Sequence, residues 1–151
     1  IAHADAAYTA KKSVLAQSRF ERLLIQFPNN RPVIIAFAQF LTEQNNPILA
    51  LKAQTLLRPL INDSYEDVVF QRSFARACEL SGNTLRAAEA YAEVAFLNGR
   101  VDDAINQLMF LLKNDDLDYY QRTRIEARIA AFKPISLELQ RQGIKPEQQG
   151  S

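Results

Sequence analysis

Gly82-Asn83-Thr84-Leu85-Arg86-Ala87-Ala88-Glu89-Ala90-Tyr91-Ala92-Glu93-Val94 decides how the rest of the chain is read. A helix-breaking residue stands first, an alanine follows five positions on, and bulky residues return at Tyr91 and Val94. The same order recurs in Gly99-Ala104-Leu108-Leu111 and Asn45-Ala50-Leu57 and, with lysine in first place, in Lys11-Ala16-Phe20-Leu23. The Lys11 and Asn45 copies lie 34 residues apart at every shared column, Lys11/Asn45, Ala16/Ala50 and Leu23/Leu57. The Gly82 copy follows after 37 residues and the Gly99 copy after 17, half a repeat.

A period of 34 with alanine in its helix-contact column is the tetratricopeptide pattern, in which each repeat is a helical hairpin. The expected fold is all-α, a tetratricopeptide-like right-handed superhelix of antiparallel helix pairs closed by a C-terminal capping helix. No stretch alternates apolar and polar residues with period two, so no strand is expected among about eight to nine helices. The domain runs 1–141, with repeats near 1–30, 31–63 and 64–98, a half-repeat 99–114 and capping helices 117–141. Residues 142–151 read as a frayed tail.

Local punctuation supports these bounds. Residues 1–10 read as the end of one helix and 13–27 as its partner, closed by Pro28-Asn29-Asn30. Asn30 before Pro32 and Asn46 before Pro47 each pair a capping amide with a proline in the first helical turn. Pro59 falls near the end of a helix that runs to about Leu60. Ser64 and Asp67 have the spacing of a capping box ahead of a helix 65–81. Gly82 and Gly99 end helices, and Pro134 is expected to kink or divide the last one. Ala38 and Ala50, Ala75 and Ala87, and Ala92 and Ala104 fall at helix crossings, where a small side chain lets axes approach to about 8 Å. Phe20, Phe37, Phe74 and Tyr91 then fill the spaces between pairs. The arginine-rich face Arg122, Arg124, Arg128 with Glu126 reads as the solvated side of a cap.

Composition excludes several classes. A formal net charge of +1 among 151 residues is far from the concentrated basic surface that nonspecific nucleic-acid binding requires. No apolar run approaches the ~18 residues that cross a bilayer. Helical character already at Ile1 is what a piece cut from a longer protein shows. The one cysteine, Cys78, falls on a packing stripe and reads as a small buried hydrophobe. The one histidine, His3, has no second histidine or cysteine at zinc-ligand spacing. Asp102-Asp103 and Asp115-Asp116 sit at expected helix starts, where acids favour the helix dipole. No phosphate-binding loop or nucleophile elbow occurs. The chain is expected to be neither an enzyme nor a cofactor protein.

Function is therefore sought on the inner face of the array. Its columns free of packing duties are Ile35, Gln39, Thr42 and Glu43 in one hairpin and Val69, Arg72, Arg76 and Glu79 in the next. Arg72 and Arg76 are one helical turn apart and can address one anionic group. The alternative is a solvated face on which they pair with Glu66 or Glu79. Ile61 and Tyr65 place two large apolar side chains in the turn 60–65. Exposed, they form a docking point for a protein partner; tucked under the next helix, they do not.

Phe96-Leu97-Asn98-Gly99-Arg100-Val101-Asp102-Asp103-Ala104-Ile105-Asn106-Gln107-Leu108 and Arg124-Ile125-Glu126-Ala127-Arg128-Ile129 resemble stretches near the C-terminus of periplasmic β-barrel assembly-enhancing proteases of the BepA type. The resemblance is strongest over residues 70–132. It implies a C-terminal tetratricopeptide domain that, in such proteins, follows an HtpX-like zinc metallopeptidase domain. The HExxH zinc motif has no counterpart in residues 1–151, so the resemblance carries over no catalytic residue and puts zinc outside this fragment. It implies a periplasmic location and, as partners, the β-barrel assembly machinery and outer-membrane protein clients. A stand-alone adaptor of envelope or secretion assembly is the other expectation. An HExxH motif upstream in the same reading frame separates the two.

Overall fold

Three of the four pattern copies begin on a residue that turns the chain through left-handed backbone: Asn45 at φ 53°, Gly82 at 87° and Gly99 at 85°. L side chains rarely adopt this region, and glycine or asparagine there ends a helix while its last carbonyls stay bonded. After Gly82 and Gly99 the chain bonds back across the turn, from Asn83 N to Cys78 O and from Arg100 N to Ala95 O.

The computed structural model describes the backbone of residues 2–150 and side chains from Tyr8 onward, which puts Ile1, Ser151 and the His3 side chain outside the described residues. The described chain is all-α. Its helices are α1 (Ala2–Gln26), α2 (Arg31–Glu43), α3 (Pro47–Leu57), α4 (Val68–Leu80), α5 (Thr84–Leu97), α6 (Val101–Leu111) and α7 (Tyr119–Arg141), with 3-10 turns at Arg58–Asp63 and Pro146–Gln148. Asn30, Asn46, Asp67, Asn83 and Asp118 each accept a backbone N–H of the first turn that follows. Such caps satisfy donors that have no partner inside the helix.

Among the described residues seven α-helices stand where eight to nine helices were expected, and two reasons account for it. Lys11-Lys12 contains no breaker or cap, so α1 runs unbroken through the expected 1–10/13–27 turn. Pro134 lies inside α7 without dividing it. The bond it removes is one from its own nitrogen, and Ile125, Ile129 and Phe132 on one side and Ser136 on the other are buried, so both halves of the helix are packed. Two boundaries also move. α3 stops at Leu57 and continues as a 3-10 turn, because Pro59 has no N–H for an α-helical bond. α4 begins at Val68, not 65: Asp67 caps it, accepting from Phe70 N at 3.0 Å, while the Ser64 hydroxyl turns away to donate to the Leu60 carbonyl.

All six crossing alanines are buried, none more than 5 % exposed. Consecutive helices pack on one another, and α2 also packs on α4. The apolar interior falls into two clusters. The first spans α2 to α5 around Phe37, Leu41, Leu57, Phe70 and Cys78, with Phe20 of α1 stacked on Phe37 at 5.2 Å between ring centroids. The second joins α5, α6 and α7 around Ala92, Leu108, Ile125 and Phe132. α5 contributes Ala87 and Ala90 to the first and Ala92 and Ala95 to the second, so one helix serves two neighbouring layers. Cys78 is fully buried, and burial pushes its thiol up to about 12.

The tail is docked, not frayed. The Gln149 side chain accepts from Asp102 N at 2.9 Å and donates to Asp102 Oδ2 at 2.6 Å, while the Ser136 hydroxyl donates to Asp102 Oδ1 at 2.5 Å. Asp102 thereby ties the start of α6 to α7 and to the tail. Asp115-Asp116 lies in the turn before α7 instead of in its first turn, which Asp118 caps.

Candidate binding groove

Side chains bond across the array at a nearly constant offset. Arg31 donates to Ser64 Oγ and to Asp67 Oδ2, each at 2.7 Å, and Gln39 Nε2 donates to Ser73 Oγ at 3.2 Å. An offset of 33 to 36 residues, kept from Arg31 to Gln39 of α2, means that α2 and α4 lie side by side and run parallel. The Arg31–Asp67 contact and the Phe70 N–H hold the Asp67 carboxyl below its ordinary range, the backbone bond contributing most.

Between the C-terminal halves of these two helices lies an open depression of about 570 Å³, lined by Gln39, Thr42, Glu43 and Asn45 on one wall and Arg72, Ser73 and Arg76 on the other. The structure thus gathers five of the eight residues expected on the inner face. Thr42 contributes little chemistry, because it is buried and its hydroxyl donates to Ala38 O at 2.7 Å. Ile35 lies half-buried against the first core cluster instead of lining the groove. Arg72 and Arg76 are exposed, and neither makes a hydrogen bond or ion pair with a described residue. Glu79, one of the two acids expected to neutralise them, accepts instead from the Tyr91 hydroxyl at 2.6 Å.

Tyr91 departs from its expected place as a spacer between helix pairs. It is 38 % exposed, and its hydroxyl bonds Glu79 of α4. Partial burial and the bond to Glu79 raise its phenol to about 12, so it remains a donor at neutral pH.

The docking point expected at Ile61 and Tyr65 is not there. Ile61 is 8 % exposed and belongs to the first core cluster, and Tyr65 lies half-buried under the Arg128 guanidinium, 4.0 Å from its ring centroid. Of the two readings the sequence left open, the structure shows the tucked one: Ile61 lies in the 3-10 turn and is buried.

Arg124 and Arg128 are not the solvated face of a cap. Arg124 holds both carboxylate oxygens of Glu89 at 2.6 and 2.7 Å, and Arg128 holds both of Glu93 at 2.7 and 2.8 Å. The pairs fix α7 on α5, again parallel and at the same 35-residue offset. Burial raises the Glu93 pKa against the opposing pull of Arg128. A signal for these pairs existed in the sequence: two acids four apart, answered one repeat later by two arginines four apart.

Among the described residues no three His, Cys, Asp or Glu side chains converge as metal ligands, and no helix is long and apolar enough to cross a membrane. The fold and groove define a class, an all-helical array that presents two exposed arginines, in no ion pair with a described residue, between two parallel helices. The sequence matches no family model and no curated protein.

Proposed function

We propose that this chain is a protein-binding module of the tetratricopeptide type, whose α2–α4 groove takes an extended acidic peptide or a chain's C-terminal carboxylate. The observation that carries this reading is the pair Arg72 and Arg76, a helical turn apart on one groove wall, exposed and in no ion pair with a described residue, with Glu43 on the opposite wall. Gln39 and Ser73 lie beside them with polar atoms suited to a peptide backbone. An arginine that meets a carboxylate forms charge-assisted hydrogen bonds of about 1.5–3 kcal/mol each.

The resemblance at 96–108 and 124–129 supports a wider setting. There the module docks partners and substrates for a periplasmic zinc metalloprotease of outer-membrane β-barrel assembly, and the zinc and the catalysis belong to another domain. The chain itself acts as a non-catalytic domain in this reading.

The test is fluorescence anisotropy with a labelled hexapeptide ending in two aspartates and a free carboxylate. Arg72→Ala/Arg76→Ala should weaken binding by at least about tenfold and leave the melting temperature within a degree or so, since both side chains are exposed. Equal affinity for parent and double variant would return the arginines to a solvated face.

A further inference from the structure

None of the described side chains of α1 is buried, which sets this helix apart from the other six. It packs on α2, where Phe20 meets Phe37 and Phe40. Elsewhere on its surface Tyr8, Val14, Leu15 and Ile25 are exposed, Ile25 to 82 %. Lys11, Lys12, Arg19 and Arg22 are exposed as well, and none makes a hydrogen bond, ion pair or ring-face contact with a described residue. The acid among the described side chains of α1, Glu21, is already bonded by Lys52 at 2.9 Å and by Gln17 at 3.2 Å.

Spacing sorts the exposed residues into lines. On a helix of 3.6 residues per turn, positions seven or eleven apart fall nearly above one another. Lys11 and Arg22 share one line and Lys12 and Arg19 a second. Val14 and Ile25, and Tyr8 and Leu15, form apolar lines beside them. Around the helix the order is therefore apolar, basic, apolar, basic, and Glu21 falls outside that arc. Charge complementarity then selects an anionic partner, and the apolar lines require it to have an apolar layer beneath its charges. A nucleic-acid backbone supplies phosphates but no place for Val14 and Ile25. Two copies of α1 face to face would oppose their own cations. A bilayer of anionic lipids supplies both parts. Its headgroups meet the lysines and arginines, whose stems lie along apolar neighbours, and its acyl boundary takes the aliphatic side chains. A single helix face with no second wall also suits a plane better than a peptide.

We propose that the outward face of α1 is a peripheral membrane contact, which lies in the plane of an anionic lipid surface. The contact is independent of the α2–α4 groove, none of whose lining comes from α1.

The experiment sediments the full chain with vesicles of phosphatidylcholine alone and with vesicles of phosphatidylcholine and phosphatidylglycerol in equal parts. Four cations near an anionic surface should favour the mixed vesicles by roughly a hundredfold, less as salt is raised. Lys11→Gln/Lys12→Gln/Arg19→Gln/Arg22→Gln, which touches exposed positions and keeps a good helix former, should lose that preference with an unchanged circular dichroism spectrum. Val14→Gln/Ile25→Gln should weaken binding to the mixed vesicles by about tenfold, the loss expected for two partly inserted aliphatic side chains. No preference for the mixed vesicles, or one that survives the quadruple variant, would overturn the proposal. Loss of the preference in Arg72→Ala/Arg76→Ala alone would place the lipid on the groove and overturn it too. Full binding by Val14→Gln/Ile25→Gln would leave a purely ionic contact and refute insertion. Salt-sensitive self-association without vesicle binding, lost in the quadruple variant, would assign the face to an acidic surface of a second copy instead.

Discussion

Replacing Arg128 by alanine should destabilise the chain by roughly 3 kcal/mol, one of the larger single-residue effects available outside the apolar core. Both oxygens of Glu93 are held by Arg128, and Glu93 is only 3 % exposed, so the variant leaves an acid buried without its partner. Removing one member of such a pair costs about 3–5 kcal/mol. The Arg128 side chain is 23 % exposed, so water can enter the space it leaves, and the lower end of that range applies. The Tyr65 ring also loses the guanidinium that covers it. Urea unfolding followed by far-ultraviolet circular dichroism measures the loss. Glu93→Leu combined with Arg128→Met should recover most of it, since a buried ion pair exchanged for apolar side chains is often neutral or stabilising. The pH dependence follows from the raised Glu93 pKa. A carboxyl with a folded pKa above its ordinary 4.5 favours folding below that value and loses the advantage as pH climbs through the folded pKa. Without Arg128 the folded pKa rises further, so the gap between variant and parent should narrow as pH falls from 7 towards 4.5. A cost under about 1 kcal/mol at neutral pH, or a double variant no more stable than the single one, would refute a coupled buried pair.

Phe37→Ala should cost about 3–5 kcal/mol in the same assay, because the ring is fully buried and Phe20 stacks on it. Gly82→Ala meets open space, so its cost of about 1–2 kcal/mol is purely that of a left-handed backbone at φ 87°; a neutral result would show that the turn relaxes. Asp67→Ala removes the α4 cap and the Arg31 contact, for about 1–2 kcal/mol at pH 7. Because the Asp67 pKa is lowered, its contribution is present above the ordinary 3.8 and is lost as pH falls through the folded value, so parent and variant melting temperatures should converge in acid.

What the sequence showed was set by how local the cause is. Helix ends at Gly82, Gly99 and the Asn30 and Asn46 caps depend on one or two residues and could be read directly. The crossing alanines could be read because a repeat period places them. Lys11 matched a column by spacing alone, with no chemistry to turn a helix, and it lies mid-helix. Ile61 and Tyr65 stayed open between exposed and tucked, because a 3-10 turn re-aims side chains by a step that helical periodicity does not contain. Arg124 and Arg128 looked solvated because a charged stripe on one helix does not reveal its partners on another. Their answer, Glu89 and Glu93, was visible only by comparing helices one repeat apart. At the groove, sequence placed Arg72 and Arg76 together, whereas the bond from the Tyr91 hydroxyl to Glu79, an acid expected to pair with them, is a tertiary contact.

The central claim, that the α2–α4 groove receives an anionic peptide, is tested most directly by mapping backbone amide shifts as the aspartate-terminated hexapeptide is titrated into isotope-labelled protein. The account predicts saturable changes gathered at Gln39, Arg72, Ser73 and Arg76, absent when the peptide's C-terminus is amidated and its aspartates are replaced by asparagine. Changes gathered instead on α1 or α7, or equal changes with the neutral peptide, would contradict it.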